Sequence, residues 1–206
     1  MQEIDFVFSI AILIMSVVIH EVSHGYTANI LGDPTARYAG RLTLNPFRHL
    51  DPIGSVVIPI MTFLLGGFIF GWAKPVPYNP HNLKNQKWGP GIVGAAGPVS
   101  NFLVAGFFGL LIRFSPSLNI AYPSFLQIAS LIVFINLLLG VFNLVPIPPL
   151  DGSKVLFSIL PYKWQNIQFF LERYGFVLLI VFIFLLFRLL LPLIGFLFKL
   201  ITGIAF

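Results

Sequence analysis

The chain contains no cysteine, which excludes disulfides, thiolate nucleophiles and Cys-ligated metal sites. Charge is almost as scarce. Only 9% of residues are Asp, Glu, Lys or Arg, against about 25% in soluble domains. A soluble enzyme or an appended water-exposed domain would need a long polar block, and none occurs in the 206 residues. Histidine is limited to four, too few for the ligands of a membrane di-iron oxidase. Tandem repeats and low-complexity tracts are also absent. The net charge of +5 comes from basic residues scattered through loops. They form no nucleic-acid patch, and in a membrane protein such an excess marks cytoplasmic loops.

What the chain does have is apolar surface: 57% of residues are hydrophobic and the mean hydropathy is +0.93. This composition predicts an all-α, multi-pass integral membrane protein whose first partner is the lipid bilayer. At roughly 20 residues per span, the length accommodates about four to six transmembrane or re-entrant helices. Residues 1–206 read as one membrane-embedded domain, with a core over 5–160 and an accessory C-terminal span over 175–204. The first apolar run has no basic flank and no small-residue cleavage site, so it does not read as a removable signal peptide.

Inside that first run lies His20-Glu21-Val22-Ser23-His24. On a helix, residues four apart project from one face, so both imidazoles can grip one Zn²⁺. Glu21 beside them is placed to act as general base on a water. Residues 6–19 carry no charge, and an ionisable residue within a span is costly unless it has a function. A catalytic zinc takes a third protein ligand. Glu3, Asp5, Asp33, Asp51 and Glu172 all lie in flanks or polar loops. Asp151 differs, because it follows an apolar run broken by Pro146, Pro148 and Pro149. Asp151 is therefore the candidate third ligand, the alternative being an N-cap for a helix over 152–160. His49 and His81 read as loop histidines. Asn101, Asn136 and Asn143 are candidates for the oxyanion or for holding the substrate backbone, with helix–helix hydrogen bonding as the alternative, the stronger one for Asn136.

Along the chain, spans are expected over 5–30, 91–113 and 124–145, an interfacial helix over 152–174, and a final span over 175–204 interrupted by Arg188 and Pro192. Tyr38 to Leu44 has β character and predicts a short hairpin or edge strand able to hold a peptide by β-addition, with an ordinary surface loop as the alternative. Residues 53–71 are apolar, but the basic loop after them (Lys74, Lys84, Lys87) favours re-entry over crossing. Trp72 to Pro80 is too proline-rich for helix and reads as extended. The first span is then oriented outside to inside, with the site near the cytoplasmic side and the protein in the cell membrane. Asp151 ends at the depth of His20 and His24 if 53–71 re-enters.

Two boxes together, His20-Glu21-Val-Ser-His24 and Asn143-Leu-Val-Pro-Ile-Pro-Pro-Leu-Asp151-Gly152, resemble the site-2 protease family of intramembrane zinc metalloproteases. Gly97-Pro98-Val-Ser-Asn101 is similar to that family's G-P-x-x-N element, and the resemblance covers roughly residues 10–155. It implies one zinc per chain held by His20, His24 and Asp151, with Glu21 as base. It also implies cleavage within or near the transmembrane segment of a membrane-protein substrate already trimmed by another protease. No PDZ or CBS domain is evident, so the chain looks like a minimal, core-only member. The rival reading is a membrane metal-ion transporter or a non-proteolytic metal-binding protein. A transporter would show several intramembrane acidic or histidine sites along a path, whereas one compact set accounts for nearly all of them.

Overall fold

The computed structural model describes residues 3–51, 53–57, 61, 64 and 74–204. Its long helices are α1 (Glu3–Ile30), α3 (Gly89–Phe114), α4 (Pro123–Asn143) and α6 (Gln165–Val181); shorter ones are α2 (Thr35–Tyr38), α5 (Asp151–Ile159) and α7 (Leu190–Thr202). Among the described residues, four segments are long and apolar enough to cross a membrane: Phe8–Ile30, Gly89–Phe114, Pro123–Asn143 and Gln165–Leu185. No strand is present among the described residues, as expected of an all-α polytopic membrane protein.

Helix α3 is the axis of the bundle and packs against α1, α4, α5 and α7. The reason is written along one of its faces. Gly94, Gly97, Asn101, Ala105, Gly109 and Ile112 recur at intervals of three or four and are all buried. In lipid there is little hydrophobic drive between helices, so association depends on close contact, and small residues permit it. The C-terminal half of this stripe meets Ala129, Val133, Leu137 and Val141 of α4 and Ile194 and Phe198 of α7 in one apolar cluster. The N-terminal half instead faces Ser16, His20 and His24 of α1. Its contacts run from Asn101 beside Ser16 to Val93 beside His24, so α1 and α3 are antiparallel.

The loops are set by Asx–Pro pairs, in which the side chain of Asn or Asp accepts from backbone N–H two or three residues on. Asn45 accepts from the Phe47 amide and opens a 3-10 turn, Asp51 accepts from Ile53 and Gly54, and Asn79 accepts from His81. This chemistry overrides the β character predicted for Tyr38 to Leu44. The segment leaves α2, turns at Gly40 (φ +63°) and is pinned by the His49 Nε2–H donating to the Thr43 carbonyl. The hairpin or edge strand is therefore not formed, and the segment is the surface loop of the alternative expectation. Ile53–Val57 forms a single π-helical turn; the predicted re-entry of 53–71 otherwise falls outside the described residues. The connector does begin and end on one side, because the Lys84 amide donates to the Leu31 carbonyl and the Asn79 amide to Asp33.

After α4 the helical boundaries also differ from expectation. The interfacial helix expected over 152–174 is split at Leu160, just before Pro161, which cannot extend a helix. The following spanning segment starts at Gln165 and carries the polar residues Gln168, Glu172 and Arg173 at its entrance. Arg188 sits in a 3-10 turn that separates α6 from α7, and Pro192 falls in the first turn of α7, where no amide donor is needed. Helix α7, with 13 residues, is shorter than the roughly 20 that a crossing takes. It is anchored by packing. Phe198 is 1% exposed and Phe196 63% exposed. Phe198→Ala is expected to destabilise the bundle by about 3 kcal/mol, and Phe196→Ala by little, as read by unfolding in detergent micelles.

Candidate metal centre

The site is assembled from three helices. Helix α1 brings His20 and His24, one turn apart, with ring centroids 4.7 Å apart and planes 85° apart. Helix α5 brings Asp151 as its first residue. Nε2 of His20 and Nε2 of His24 are 3.1 Å apart, and each is 3.0 Å from Oδ2 of Asp151. All three residues are buried, at 5%, 7% and 6% exposure. Among the described residues they form one group able to hold a metal ion.

The tautomers follow from the partners on the far side of each ring. His20 Nδ1–H donates to Oδ1 of Asn101 at 2.6 Å, and His24 Nδ1–H donates to the Val93 carbonyl at 2.6 Å. With both Nδ1 atoms protonated, a ring in its neutral form turns a bare Nε2 lone pair towards the other and towards a carboxylate oxygen. Three electron-rich atoms within 3.1 Å repel unless a cation lies among them. Ligands of a tetrahedral zinc, at about 2.0–2.1 Å from the metal, sit about 3.3 Å from one another, close to the spacing found. Helix α3 leaves the room. A Cβ added at Gly97 would lie 2.5 Å from both Nε2 atoms. The donor set and the free volume both fit zinc.

Behind His20 runs a buried polar chain that ties α1, α3 and α4 together. Asn101 Nδ2–H donates to Oδ1 of Asn136, and Asn136 Nδ2–H donates to Ser16 Oγ, both at 2.9 Å. Asn101 and Asn136 are fully buried. Asn101 must present its oxygen to His20 because its nitrogen is committed to Asn136. Such outer partners fix ring orientation and raise ligand basicity. Asn143, the last residue of α4, lies outside this chain, and its amide donates to the Leu139 carbonyl at 3.0 Å. Asp151 does not cap α5: Leu150 holds the cap position and the Asp151 carboxylate faces the imidazoles. His49 is buried in the connector and His81 is exposed in its loop, neither within the metal group.

Glu21 faces the extended segment over 74–79. That segment has Pro75, Pro77 and Pro80, which fix their own φ and hold Lys74, Val76 and Asn79 extended. It forms a strap docked at three points. The Lys74 amide donates to the His49 carbonyl, the Val76 amide to Oε2 of Glu21 at 2.9 Å, and the Asn79 amide to Oδ2 of Asp33 at 2.6 Å. Ser16, the Val93 carbonyl and the Val76 amide are absent from the sequence expectation. Two of these are backbone groups, which any residue supplies, and Ser16 is marked only by lying four residues before His20.

Asp33 is fully buried and also accepts from Asn82 and Thr35. Burial alone would raise its carboxyl pKa, but the hydrogen bonds from Thr35, Asn82 and Asn79 outweigh it and hold the group below the ordinary carboxylate range. The sign follows from linkage. A lowered folded-state pKa gives stability that is present above the unfolded value, about 4, and is lost as pH falls through the lowered one. The Asn79 amide is therefore expected to stay protected from hydrogen exchange from neutral pH to about pH 4 and to open only below it. Asp33→Asn should expose it at every pH. At the centre itself, Gly97→Ala is expected to remove bound zinc, measured as metal per chain, while helical content by circular dichroism is unchanged.

Comparison with known proteins points the same way as this geometry. The chain is 40% identical over 174 residues to YwhC of Bacillus subtilis (strain 168), a protein named as a zinc metalloprotease, covering 82% of this chain and 76% of that one. It is 31% identical over 183 residues to Rip2 of Mycolicibacterium smegmatis, also named as a zinc metalloprotease, covering 85% of this chain and 66% of that protein. Rip2 of Mycobacterium tuberculosis (strain H37Rv) is 29% identical over the same coverage. The chain thus spans about two thirds of the length of the mycobacterial relatives. No solved structure matches it. Residues 116–187 match the description of peptidase family M50, and with the 40% identity to the Bacillus protein this shows that the chain belongs to peptidase family M50.

Proposed function

We propose that His20, His24 and Asp151 hold one Zn²⁺ per chain in this intramembrane zinc metalloprotease and that Glu21 is its general base. The observation carrying the reading is the trio of Nε2, Nε2 and Oδ2 at 3.0–3.1 Å with Glu21 next in sequence to His20. When bound, the zinc supplies Lewis acidity that polarises a peptide carbonyl and brings the pKa of a water towards about 7. Glu21 takes the proton of the attacking water and delivers it to the leaving amine. Its Oε2 is held by the Val76 amide, which leaves Oε1 to carry the proton. Asn101 acts through His20, holding its ring, and Asn136 in turn holds Asn101.

The substrate is the transmembrane segment of a membrane protein, cleaved within or near the bilayer. A folded ectodomain cannot approach a centre whose three ligands are at most 7% exposed. This supports a substrate pre-trimmed by another protease and, for cleavage, unwound into an extended chain beside the 74–79 strap. The site lies in the second half of the first span, whose following connector carries Arg37, Arg41, Arg48, Lys74, Lys84 and Lys87. The positive-inside rule places that end, and so the site, near the cytoplasmic side of the cell membrane. The chain acts as one domain, with α7 packed against the catalytic helices. A metal transporter is not favoured, because a path needs successive sites and one metal group is found among the described residues.

Glu21→Gln separates the readings. Full zinc occupancy with cleavage reduced at least about 100-fold is expected, measured by metal content and by loss of membrane-derived fragments in cells. Persistent cleavage of a transmembrane substrate by the variant would refute Glu21 as the base.

A further inference from the structure

The two oxygens of the Asp151 carboxylate have different neighbours. Oδ2 faces the two imidazoles, and Oδ1 accepts from Nζ of Lys154 at 3.0 Å. Lys154 is three residues further along α5 and so on the same face. An ion pair between exposed side chains is worth little. In this pair the Asp151 side chain is 9% exposed and that of Lys154 34%, so the contact is largely shielded from solvent. Helix α3 accommodates it through Gly94, where a Cβ would come within 2.9 Å of the Lys154 Cβ and 3.0 Å of the Asp151 carbonyl. The same ammonium lies 5.6 Å from the ring centroid of Tyr78 on the strap. Lys154 also lines a cavity of about 370 Å³ between the 80–90 loop, α5 and α6, with Lys87, Trp164, Gln165 and Glu172 on its walls. His20, His24 and Asp151 do not line that cavity. Lys154 is therefore the group that connects the buried carboxylate to the strap and to this cavity.

We propose that Lys154 is a positioning residue of the metal centre, holding Oδ1 of Asp151 so that Oδ2 alone serves as ligand. Free to rotate, a carboxylate can offer both oxygens to one ion and occupy the coordination position that water and substrate need. The ammonium removes that option by engaging the second oxygen. The inference rests on the zinc assignment above and extends it to a residue outside the H-E-x-x-H box.

The test uses the full chain in detergent with Co²⁺ in place of zinc, since the visible absorption of Co²⁺ reports coordination number. Lys154→Met is expected to weaken the four-coordinate bands as Oδ1 joins the metal. It is also expected to lower zinc affinity roughly 10-fold or more in competition with a chromogenic chelator. Lys154→Arg, which keeps a cationic donor, should restore both. A merely structural salt bridge would lower the melting temperature without changing the cobalt spectrum. That result, or wild-type affinity in Lys154→Met, overturns the proposal. Should Lys154→Met not fold, Lys154→Gln gives the same spectral test. His20→Ala and His24→Ala separate the two levels: cobalt uptake unchanged in both would show that the zinc assignment itself, and not only the role of Lys154, is wrong.

Discussion

The structure turns on a repulsion. Two imidazole Nε2 atoms and a carboxylate oxygen are held within 3.1 Å of one another in three residues that are at most 7% exposed. A metal ion or a proton among them would relieve that repulsion, and the neighbouring groups are organised around the same three atoms. The Asn101 oxygen and the Val93 carbonyl fix both rings in the tautomer that turns Nε2 inward. Asn136 and Ser16 fix Asn101 in turn. Those four partners come from α1, α3 and α4, so the register of the bundle and the tautomers of the two histidines are one problem. A slide of α3 by a single turn would detach His24 from Val93 and put a side chain where Gly97 now leaves space.

The same helix therefore has two jobs, divided along its length. Its C-terminal half is an ordinary membrane interface of Ala105, Gly109 and Ile112 against apolar residues of α4 and α7. Its N-terminal half is polar and glycine-rich, and contacts His20, His24 and Asp151. The apolar half supplies the rigidity that the polar half lacks, because burying Asn101 and Asn136 in a bilayer is favourable only when every donor finds its acceptor. Helix α6 belongs less to this frame: only 11% of its spanning window is buried, against 33% for α1, α3 and α4. One side of the bundle is thus loosely covered, next to the cavity that Lys154 lines.

Residues whose chemistry is rare in a membrane are the ones legible from sequence. His20, Glu21 and His24 stand out because ionisable groups do not sit in apolar runs without cause, and Asp151 because prolines halt the helix before it. The structure brings the two histidines and the aspartate together. The spans were readable to within a few residues at α1, α3 and α4, where hydropathy is uniform. Legibility failed where short-range and long-range preferences conflict. The β character of Tyr38 to Leu44 is real but loses to Gly40 and to the Asn45-Pro46 turn. The division between 152–174 and 175–204 is misplaced because hydropathy registers Pro161 less strongly than the backbone does. Gly97 reads as a small residue for helix contact, yet what it makes room for lies between two rings of a distant helix.

The strap over 74–79 has a property that follows from its prolines alone. In an extended chain, consecutive residues turn their backbone groups to opposite sides. Lys74 and Val76 point theirs inward, to His49 and Glu21. Between and beyond them are Pro75 and Pro77, which have carbonyls but no amide hydrogens. At those two positions the strap can accept a hydrogen bond and cannot donate one. Any chain that meets it there bonds only through its own donors, and contact of this one-sided kind is weaker than a full ladder.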